Sequence, residues 1–332
     1  MKKILRRTKI LVWILIITIL GGLFFFTPVF KSREIVIIGQ GIGPKTVINL
    51  GHLGLILPSN IKNKQRVNLL FLGIPGQNNQ APNLTDSIII LNSGPKGQNP
   101  IGISIPRDLL IKFPDKNYYT KINSLFKWGG TKEKGIELVA MVLNEITGLE
   151  FDYFIVLDLE GVKKIIDIVN GIDVYVENDI YDPMFPGSDD SYQVFSIKKG
   201  QHHLDGETAV KYIRTRNDVG GDFARIKRQQ QAISALKDKV FSLNPFWNFP
   251  TFLNIWKTLD KHTYTNIDIN DIKYVWTLAK NTDFEEIEFH TLDLISDTIT
   301  LDGKTAYVLK PKAGINNYKE VKENINKLLK EL

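Results

Sequence analysis

Arginine is scarce in this 332-residue chain, and its placement is the first indication of chemistry. Only nine of the 42 basic residues are arginine, so lysine is the chain's ordinary surface cation. Five of the nine lie in polar segments next to predicted strands or helices, namely Arg107, Arg214, Arg216, Arg225 and Arg228. A guanidinium stays charged and presents a planar fork of donors that matches a phosphate group. The five arginines together predict a site for a phosphorylated ligand.

The segment after Gly220 combines the start of a helix with two of these arginines. Asp222 is a good N-cap residue, and Arg225, Arg228 and Gln229 then fall on one face of the first turns. A helix N-terminus attracts anions through its free N–H groups and its dipole. Two cations at this end are unfavourable for the helix alone, so the pattern favours a bound anion.

Further candidates lie near strand ends. Arg107 and Asp108 follow a predicted strand, the place where α/β folds usually bind ligands. Arg214 and Arg216 are two residues apart and share one side if that stretch is extended. Asp86 opens another strand, and its carboxylate could hold a divalent cation.

Each feature has a structural interpretation when it is taken alone. An Arg–Asp pair after a strand is usually a surface ion pair, and arginines three apart on a helix usually face solvent. Asp86 alone is more often a turn carboxylate than a metal ligand. The pair His202 and His203 has no further ligands at metal-site spacing, so we expect a structural role for it. The five arginines together favour the functional interpretation.

Alternating strands and helices must position these side chains. The sequence predicts strands near 67–74, 86–92, 101–106, 151–159, 172–176, 286–292 and 306–309. It predicts helices near 132–147, 160–169, 205–212, 222–240, 252–259, 271–280 and 317–330. This alternation indicates an α/β domain with helices on both faces of the sheet.

The N-terminus indicates a membrane anchor. Residues 10–30 carry no charge and are long enough to span a bilayer, which predicts one transmembrane helix. Five positive charges precede it, which places the tail 1–9 in the cytoplasm and the bulk of the chain outside. A cleaved signal peptide is the alternative, with the same export. Residues 31–66 are expected to form a stalk, and 67–332 one extracytoplasmic domain.

Composition excludes several classes of function. The formal net charge is +6, and the tail 1–9 supplies five of these charges, so the remainder is close to neutral. A near-neutral domain argues against a nucleic-acid-binding surface. The chain has no cysteine, which excludes disulfides, thiol catalysis and cysteine metal sites.

Several motifs carry a family resemblance. They include Leu84-Thr-Asp-Ser-Ile-Ile-Ile-Leu, Ser104-Ile-Pro-Arg-Asp, Lys121-Ile-Asn-Ser, Tyr212-Ile-Arg-Thr-Arg and Gly221-Asp-Phe-Ala-Arg-Ile-Lys-Arg-Gln-Gln. With these motifs in this order, the chain resembles the LytR-CpsA-Psr family of bacterial envelope proteins. The resemblance covers roughly residues 67–240 and implies a three-layer α/β/α sandwich with a central mixed sheet.

The resemblance also implies an activity and a set of site residues. Family members transfer a glycopolymer from a polyprenyl-pyrophosphate carrier to peptidoglycan and leave a phosphodiester link. By position, Arg107, Arg216, Arg225 and Asp222 would be catalytic, and Asp86 would hold Mg²⁺. The pyrophosphate would be bound by Arg107, Lys121, Arg214, Arg216, Arg225, Arg228 and Gln229. Either Asp108 or Asp222 could orient an arginine or accept the proton of the incoming hydroxyl.

One position departs from the family pattern. Members usually have an aspartate that helps to bind the metal shortly after the first strand, and this chain has Pro75 there. The departure leaves two alternatives to the transferase. One is a pyrophosphatase that uses water as the acceptor, and the other is a non-catalytic regulatory module that binds lipid phosphate.

Overall fold

The computed structural model of the chain describes residues 66–331, apart from 78, 80, 95–96, 188–190, 216–220, 245–246, 268, 286 and 302. The predicted tail, the predicted transmembrane segment 10–30 and residues 31–65 therefore lie outside the described residues. Within the described part of the chain, no helix has the length and apolar character needed to cross a membrane.

The strands are β1 Val67–Ile74, β2 Ser87–Ser93, β3 Ile101–Ser104, β4 Leu110–Lys112, β5 Tyr119–Lys121, β6 Tyr153–Asp158, β7 Ile172–Val176, β8 Ile180–Pro186, β9 Tyr192–Ile197, β10 Gly200–Leu204, β11 Thr263–Thr265, β12 Glu288–Thr291, β13 Leu294–Leu301 and β14 Lys304–Pro311. The α-helices are α1 Leu125–Trp128, α2 Lys132–Thr147, α3 Leu159–Ile168, α4 Gly206–Arg214, α5 Gly221–Ser242, α6 Phe249–His262, α7 Ile269–Asn281 and α8 Lys319–Lys330.

The central sheet has six strands in the order β11-β6-β1-β2-β3-β12. Strand β1 is parallel to β6, and β3 is parallel to β12. The pairs β1–β2, β2–β3 and β11–β6 are antiparallel. The sheet is therefore mixed, as the resemblance implied.

Strand β1 shows why the sheet is covered on both faces. Its side chains alternate, so Leu70, Leu72 and Ile74 enter the core that also contains residues of α2 and α8. Val67 and Leu69 point the other way and belong to a separate cluster with residues of α7. A nearly continuous apolar strand is the pattern expected when helices cover both faces. The described domain thus has three layers.

A second group of elements packs around a core of its own. Strands β7 and β10 pair with each other, and β8 pairs with β9 in a hairpin. Their apolar side chains pack with those of α4 and α5 in one core, where the rings of Phe185 and Phe195 lie 5.8 Å apart. The sequence pattern predicts no strands for this hairpin, because charged and polar residues interrupt its apolar positions.

Candidate functional site

The sheet topology brings the predicted residues to one edge. Strands β1 and β6 run in the same direction, and so does β3, because two antiparallel pairings separate it from β1. Their carboxyl ends, at Ile74, Asp158 and Ser104, therefore meet at the edge where β2 begins. Asp86 precedes β2 and Arg107 follows β3, so residues distant in sequence become neighbours. This is the edge where open α/β sheets bind ligands.

Arg107 lies between two carboxylates. Its Nη1 donates to Oδ1 of Asp86 at 2.6 Å, and its Nε lies 3.6 Å from Oδ2 of Asp108. That Nε is buried, and no described residue accepts a hydrogen bond from it. About a third of each of the side chains of Arg107 and Asp86 is exposed. The guanidinium is thus held in place by the carboxylates, and the exposed part of the side chain can donate to an anion.

Lys121 completes this charged group from the hairpin β4–β5. Its Nζ donates to Oδ1 of Asp108 at 2.7 Å, and its strand position pairs with Leu110. The main chain supports the arrangement, since the N–H of Ile122 donates to the carbonyl of Leu109 at 2.8 Å. The structure therefore places Asp86, Arg107, Asp108 and Lys121 in one connected network.

Arg214 approaches the network from the end of α4. Its Cζ lies 5.7 Å from the ring centroid of Phe185, a distance at which a cation and an aromatic face attract each other. Burial lowers the pKa of Arg214, the nearby Asp86 carboxylate raises it, and the Arg107 guanidinium lowers it. Three cations, Arg107, Lys121 and Arg214, thus face two carboxylates, Asp86 and Asp108, and this excess positive charge favours an anionic ligand.

Arg228 and Gln229 contact main-chain carbonyls. Arg228 is 5% exposed, and it donates from Nε to the carbonyl of Tyr212 at 2.9 Å and from Nη2 to that of Thr215 at 2.6 Å. Gln229 donates to the carbonyl of Ile213 at 3.4 Å. The last carbonyls of a helix have no partner within the helix, so these two side chains cap α4. The geometry makes them positioning residues for the segment that carries Arg214.

Thr215 and Asp182 also position this segment, and neither residue is among the candidates predicted from the sequence. The Oγ1 of Thr215 donates to Oδ2 of Asp182 at 2.6 Å, and both residues are almost fully buried. Asp182 also accepts a hydrogen bond at 3.1 Å from the N–H of Met184, within β8. The buried carboxylate thereby fixes the residue between Arg214 and Arg216. The sequence Tyr-Asp-Pro around Asp182 carries no signal for this contact.

The remaining predicted catalytic residues are only partly described. Arg216 falls in the stretch 216–220, outside the described residues. Asp222 lies in α5, but its side chain is not described. Arg225 is half-buried on α5, three residues before Arg228. The roles predicted for these three residues stay predictions.

The donor set around Asp86 bears on the predicted Mg²⁺. Among the described residues, no group of three or more histidine, cysteine, aspartate or glutamate side chains could hold a metal. Pro75 is buried and offers no side-chain oxygen. Mg²⁺ is usually held by one or two carboxylates together with substrate phosphates and water. Asp86 fits that pattern with a pyrophosphate supplying further oxygens, although Arg107 competes for one carboxylate oxygen.

The two adjacent histidines have ordinary structural partners. His203 Nδ1 lies 2.7 Å from Oδ1 of Asp173, and His202 Nε2 lies 2.7 Å from the carbonyl of Lys198. Both residues lie on β10, and these contacts are in line with the structural interpretation. A second aspartate–histidine contact occurs at the sheet edge, where His262 Nδ1 lies 2.9 Å from Oδ1 of Asp158. Asp158 also caps α3, so this contact joins α6 to α3.

Comparisons with known proteins identify relatives of this chain. The chain is 29% identical over 285 residues to the polyisoprenyl-teichoic acid–peptidoglycan teichoic acid transferase TagV of Bacillus subtilis. The aligned region covers 82% of this chain and 68% of the relative. It is 31% identical over 200 residues to the probable cell wall biosynthesis protein LcpB of Corynebacterium glutamicum, which covers 59% of this chain and 43% of the relative.

Solved structures show the same fold. The crystal structure of B. subtilis TagV matches with a TM-score of 0.58 and 27% identity, covering 80% of this chain and 98% of that chain. The structure titled "TagT bound to LIIa-WTA" matches with a TM-score of 0.58 at 23% identity, covering 80% of this chain and 91% of that chain. At that lower identity the likeness shows the fold alone.

A family model gives the assignment. The model described as the LytR_cpsA_psr family matches residues 48–324, which is most of the chain and includes every residue of the charged network. The chain belongs to the LytR_cpsA_psr family.

Proposed function

We propose that this chain transfers a glycopolymer from a polyprenyl-pyrophosphate carrier to peptidoglycan and forms a phosphodiester link. The observation that carries the proposal is the position of Arg107 between Asp86 and Asp108, with Arg214 close by, at the ligand-binding edge of the sheet. The relationship to TagV, which is named as a transferase of this kind, supports the reaction class.

In the proposed reaction, a hydroxyl of the acceptor sugar attacks the phosphorus attached to the glycopolymer. The bond from that phosphorus to the bridging oxygen breaks, and polyprenyl phosphate leaves with the electron pair. Phosphoryl transfer of this kind depends mainly on orientation and on neutralisation of charge. Arg107, Arg214, Arg216 and Arg225 would bind the pyrophosphate and stabilise the leaving phosphate.

The carboxylates divide between two tasks in this proposal. Asp108 is held by Lys121 and lies beside Arg107 Nε, so we assign it to orienting the guanidinium. Asp222 then accepts the proton of the incoming hydroxyl. Asp86 would hold Mg²⁺ together with pyrophosphate oxygens, and the ion would supply further neutralisation of charge when it is bound. Arg228 and Gln229 would act indirectly, because they fix the end of α4 that carries Arg214.

The location follows from the sequence. Residues 10–30 would anchor the chain in the cytoplasmic membrane, with the tail 1–9 inside and the domain outside. This topology brings the site to the compartment that contains both the lipid carrier and peptidoglycan.

The test uses the full chain reconstituted in vesicles with a polyprenyl-pyrophosphate glycan, peptidoglycan fragments and Mg²⁺. Mass spectrometry should detect the phosphodiester-linked product, and a chelator should abolish it. Release of glycan phosphate without acceptor would favour the pyrophosphatase. Bound lipid with no product, beside an active relative under the same conditions, would favour the regulatory module. Product that persists in chelator would contradict the Mg²⁺ requirement alone.

A further inference from the structure

The tip of hairpin β4–β5 and the end of α1 carry an exposed cluster of aromatic rings. Phe113 stacks on Tyr118 with centroids 5.0 Å apart, and Trp128 lies 6.1 Å from Phe113 and 6.4 Å from Tyr118. Phe113 packs against the main core, whereas Trp128 is 58% exposed and Tyr118 is 38% exposed. Large exposed rings in mutual contact form an apolar patch of the kind that marks an interaction surface.

Lysines surround these rings. Residues 112–134 contain six lysines and two acidic residues. The chain beyond the tail 1–9 is close to neutral, whereas this segment has four more lysines than acidic residues (six against two). Lys112, Lys116 and Lys127 are exposed, and none of them forms an ion pair with a described residue. The patch therefore presents aromatic rings and uncompensated positive charge side by side.

The hairpin connects this patch to the charged network. Lys121 pairs with Leu110 at the base of the hairpin and binds Asp108. The exposed pair Lys112 and Tyr119 lies two residues further along the hairpin, about 7 Å away. The patch and the mouth of the site thus lie on one continuous element.

We propose that this aromatic–lysine surface, formed by Lys112, Phe113, Lys116, Tyr118, Lys127 and Trp128, docks on the anionic phospholipid surface of the membrane. Tryptophan and tyrosine favour the interface because one end of each ring system is apolar and the other can reach water. Lysines near an anionic leaflet add electrostatic attraction. A neutral glycan would use the rings but would leave the lysines without a counter-charge.

The point of attachment explains why such a contact is needed. The predicted anchor ends at residue 30, and the 36 residues before Val67 can reach at most about 120 Å. The chain enters β1 at the sheet edge opposite the site, since the site lies at the carboxyl end of that strand. The predicted anchor by itself does not specify which face of the domain meets the membrane. The proposed contact turns the site toward the lipid carrier, and in this respect the inference rests on the proposed function.

The absence of cysteine permits a clean test. Asn117→Cys places a single label site at the exposed tip of the hairpin, and Thr298→Cys places one on the exposed face of β13 as a reference. The full chain, labelled with an environment-sensitive fluorophore, is reconstituted in phosphatidylcholine vesicles with or without phosphatidylglycerol. Brominated phospholipid should quench the label at position 117 in the anionic vesicles and leave the label at 298 unchanged.

Replacement of single lysines measures how much each charge contributes to docking. Each of Lys112→Ala, Lys116→Ala and Lys127→Ala should lower the ratio of docked to undocked protein about fivefold, because each lysine near the surface contributes about 1 kcal/mol. Removing the same charge at the exposed Lys199, Lys327 and Lys330 should have no effect. Water-like fluorescence at position 117 in anionic vesicles would overturn the proposal, as would a response to peptidoglycan fragments alone.

Transfer assays distinguish a failure of the docking proposal from a failure of the proposed function. With a short, water-soluble prenyl-pyrophosphate glycan in detergent, Trp128→Ser should transfer at the normal rate. With a long-chain carrier embedded in anionic vesicles, the same variant should be slowed. A chain that docks but transfers nothing would overturn the proposed function and leave the docking surface intact.

Discussion

Arg228 donates a hydrogen bond from Nη2 to the carbonyl oxygen of Thr215 at 2.6 Å, which ties helix α5 to the residue between Arg214 and Arg216. A second hydrogen bond, from Nε to the carbonyl oxygen of Tyr212, gives Arg228 two contacts with this segment. The geometry of the arginine site therefore depends on a buried arginine that caps the preceding helix.

Replacement of this arginine should lower stability and activity together. Arg228→Met removes charge-assisted bonds to buried carbonyls, so we expect the free energy of unfolding to fall by about 2–4 kcal/mol in urea titration. Transfer should fall as well, because Arg214 is no longer held. Lys227→Met is the matched control, since its ion pair with Glu177 lies at the surface and contributes little. Full stability with lost transfer would instead show that Arg228 binds substrate directly.

Thr215 offers a smaller and more specific perturbation of the same segment. Thr215→Val keeps the shape but leaves the buried Asp182 without its hydroxyl donor, which should cost about 1–3 kcal/mol of unfolding free energy. Thr215→Ser keeps the hydroxyl and should restore most of the stability and of the transfer rate. Equal behaviour of the two variants in denaturation and transfer assays would show that the hydrogen bond is unimportant.

Arg107 should affect chemistry far more than stability. Its ion pairs are partly exposed and contribute little to folding, so Arg107→Ala should unfold within about 1 kcal/mol of the native chain. Loss of a preorganised donor to the reacting phosphate should lower kcat roughly 100-fold to 1,000-fold. Arg107→Lys keeps the charge but lacks the planar fork of donors, so its kcat should lie between that of the native chain and that of Arg107→Ala. Near-normal kcat in Arg107→Ala would show that Arg107 does not contribute to catalysis.

Tyr264 on β11 should make stability sensitive to alkaline pH. Burial and the neighbouring Glu133 carboxylate raise the pKa of Tyr264 from 10.0 to about 12. The folded chain keeps the phenol proton after the unfolded chain has lost it. The contribution to stability is therefore complete below pH 10 and declines as pH rises toward 12, at no more than about 1.4 kcal/mol per pH unit.

The tyrosine variants isolate this effect. Tyr264→Phe should make the decline measured by urea titration at several pH values shallower, because one ionisable phenol is gone. The remaining decline is expected from Tyr153, Tyr274 and Tyr318, whose pKa burial also raises. Tyr175→Phe removes an exposed tyrosine on β7 and should leave the decline unchanged. An unaltered slope in Tyr264→Phe would assign the pH dependence to other buried groups.

The local pattern of apolar residues along the sequence was sufficient to predict most of the helices and of the central strands. The apolar runs at β1, β2 and β3 and the helical spacing at α2 predict the elements close to where they occur. Short strands such as β4, β5 and β11 span only three residues, too few for an alternating pattern to be recognised. The hairpin β8–β9 was missed because a register shift between Asp182 and Phe185 interrupts the alternation and because a charged residue, Asp182, occupies a buried position.

For the site, the sequence by itself determined which chemistry is available, because residue type fixes charge and donor geometry. Five arginines in a lysine-rich chain predict an anion site, and the ordered motifs predict the family, which the family model confirms. Only the tertiary structure decided which side chains meet. Antiparallel pairing brings Asp86 to Arg107 across 21 positions. Arg228 is buried against α4 because burial depends on which elements pack together, and spacing along one helix does not specify that.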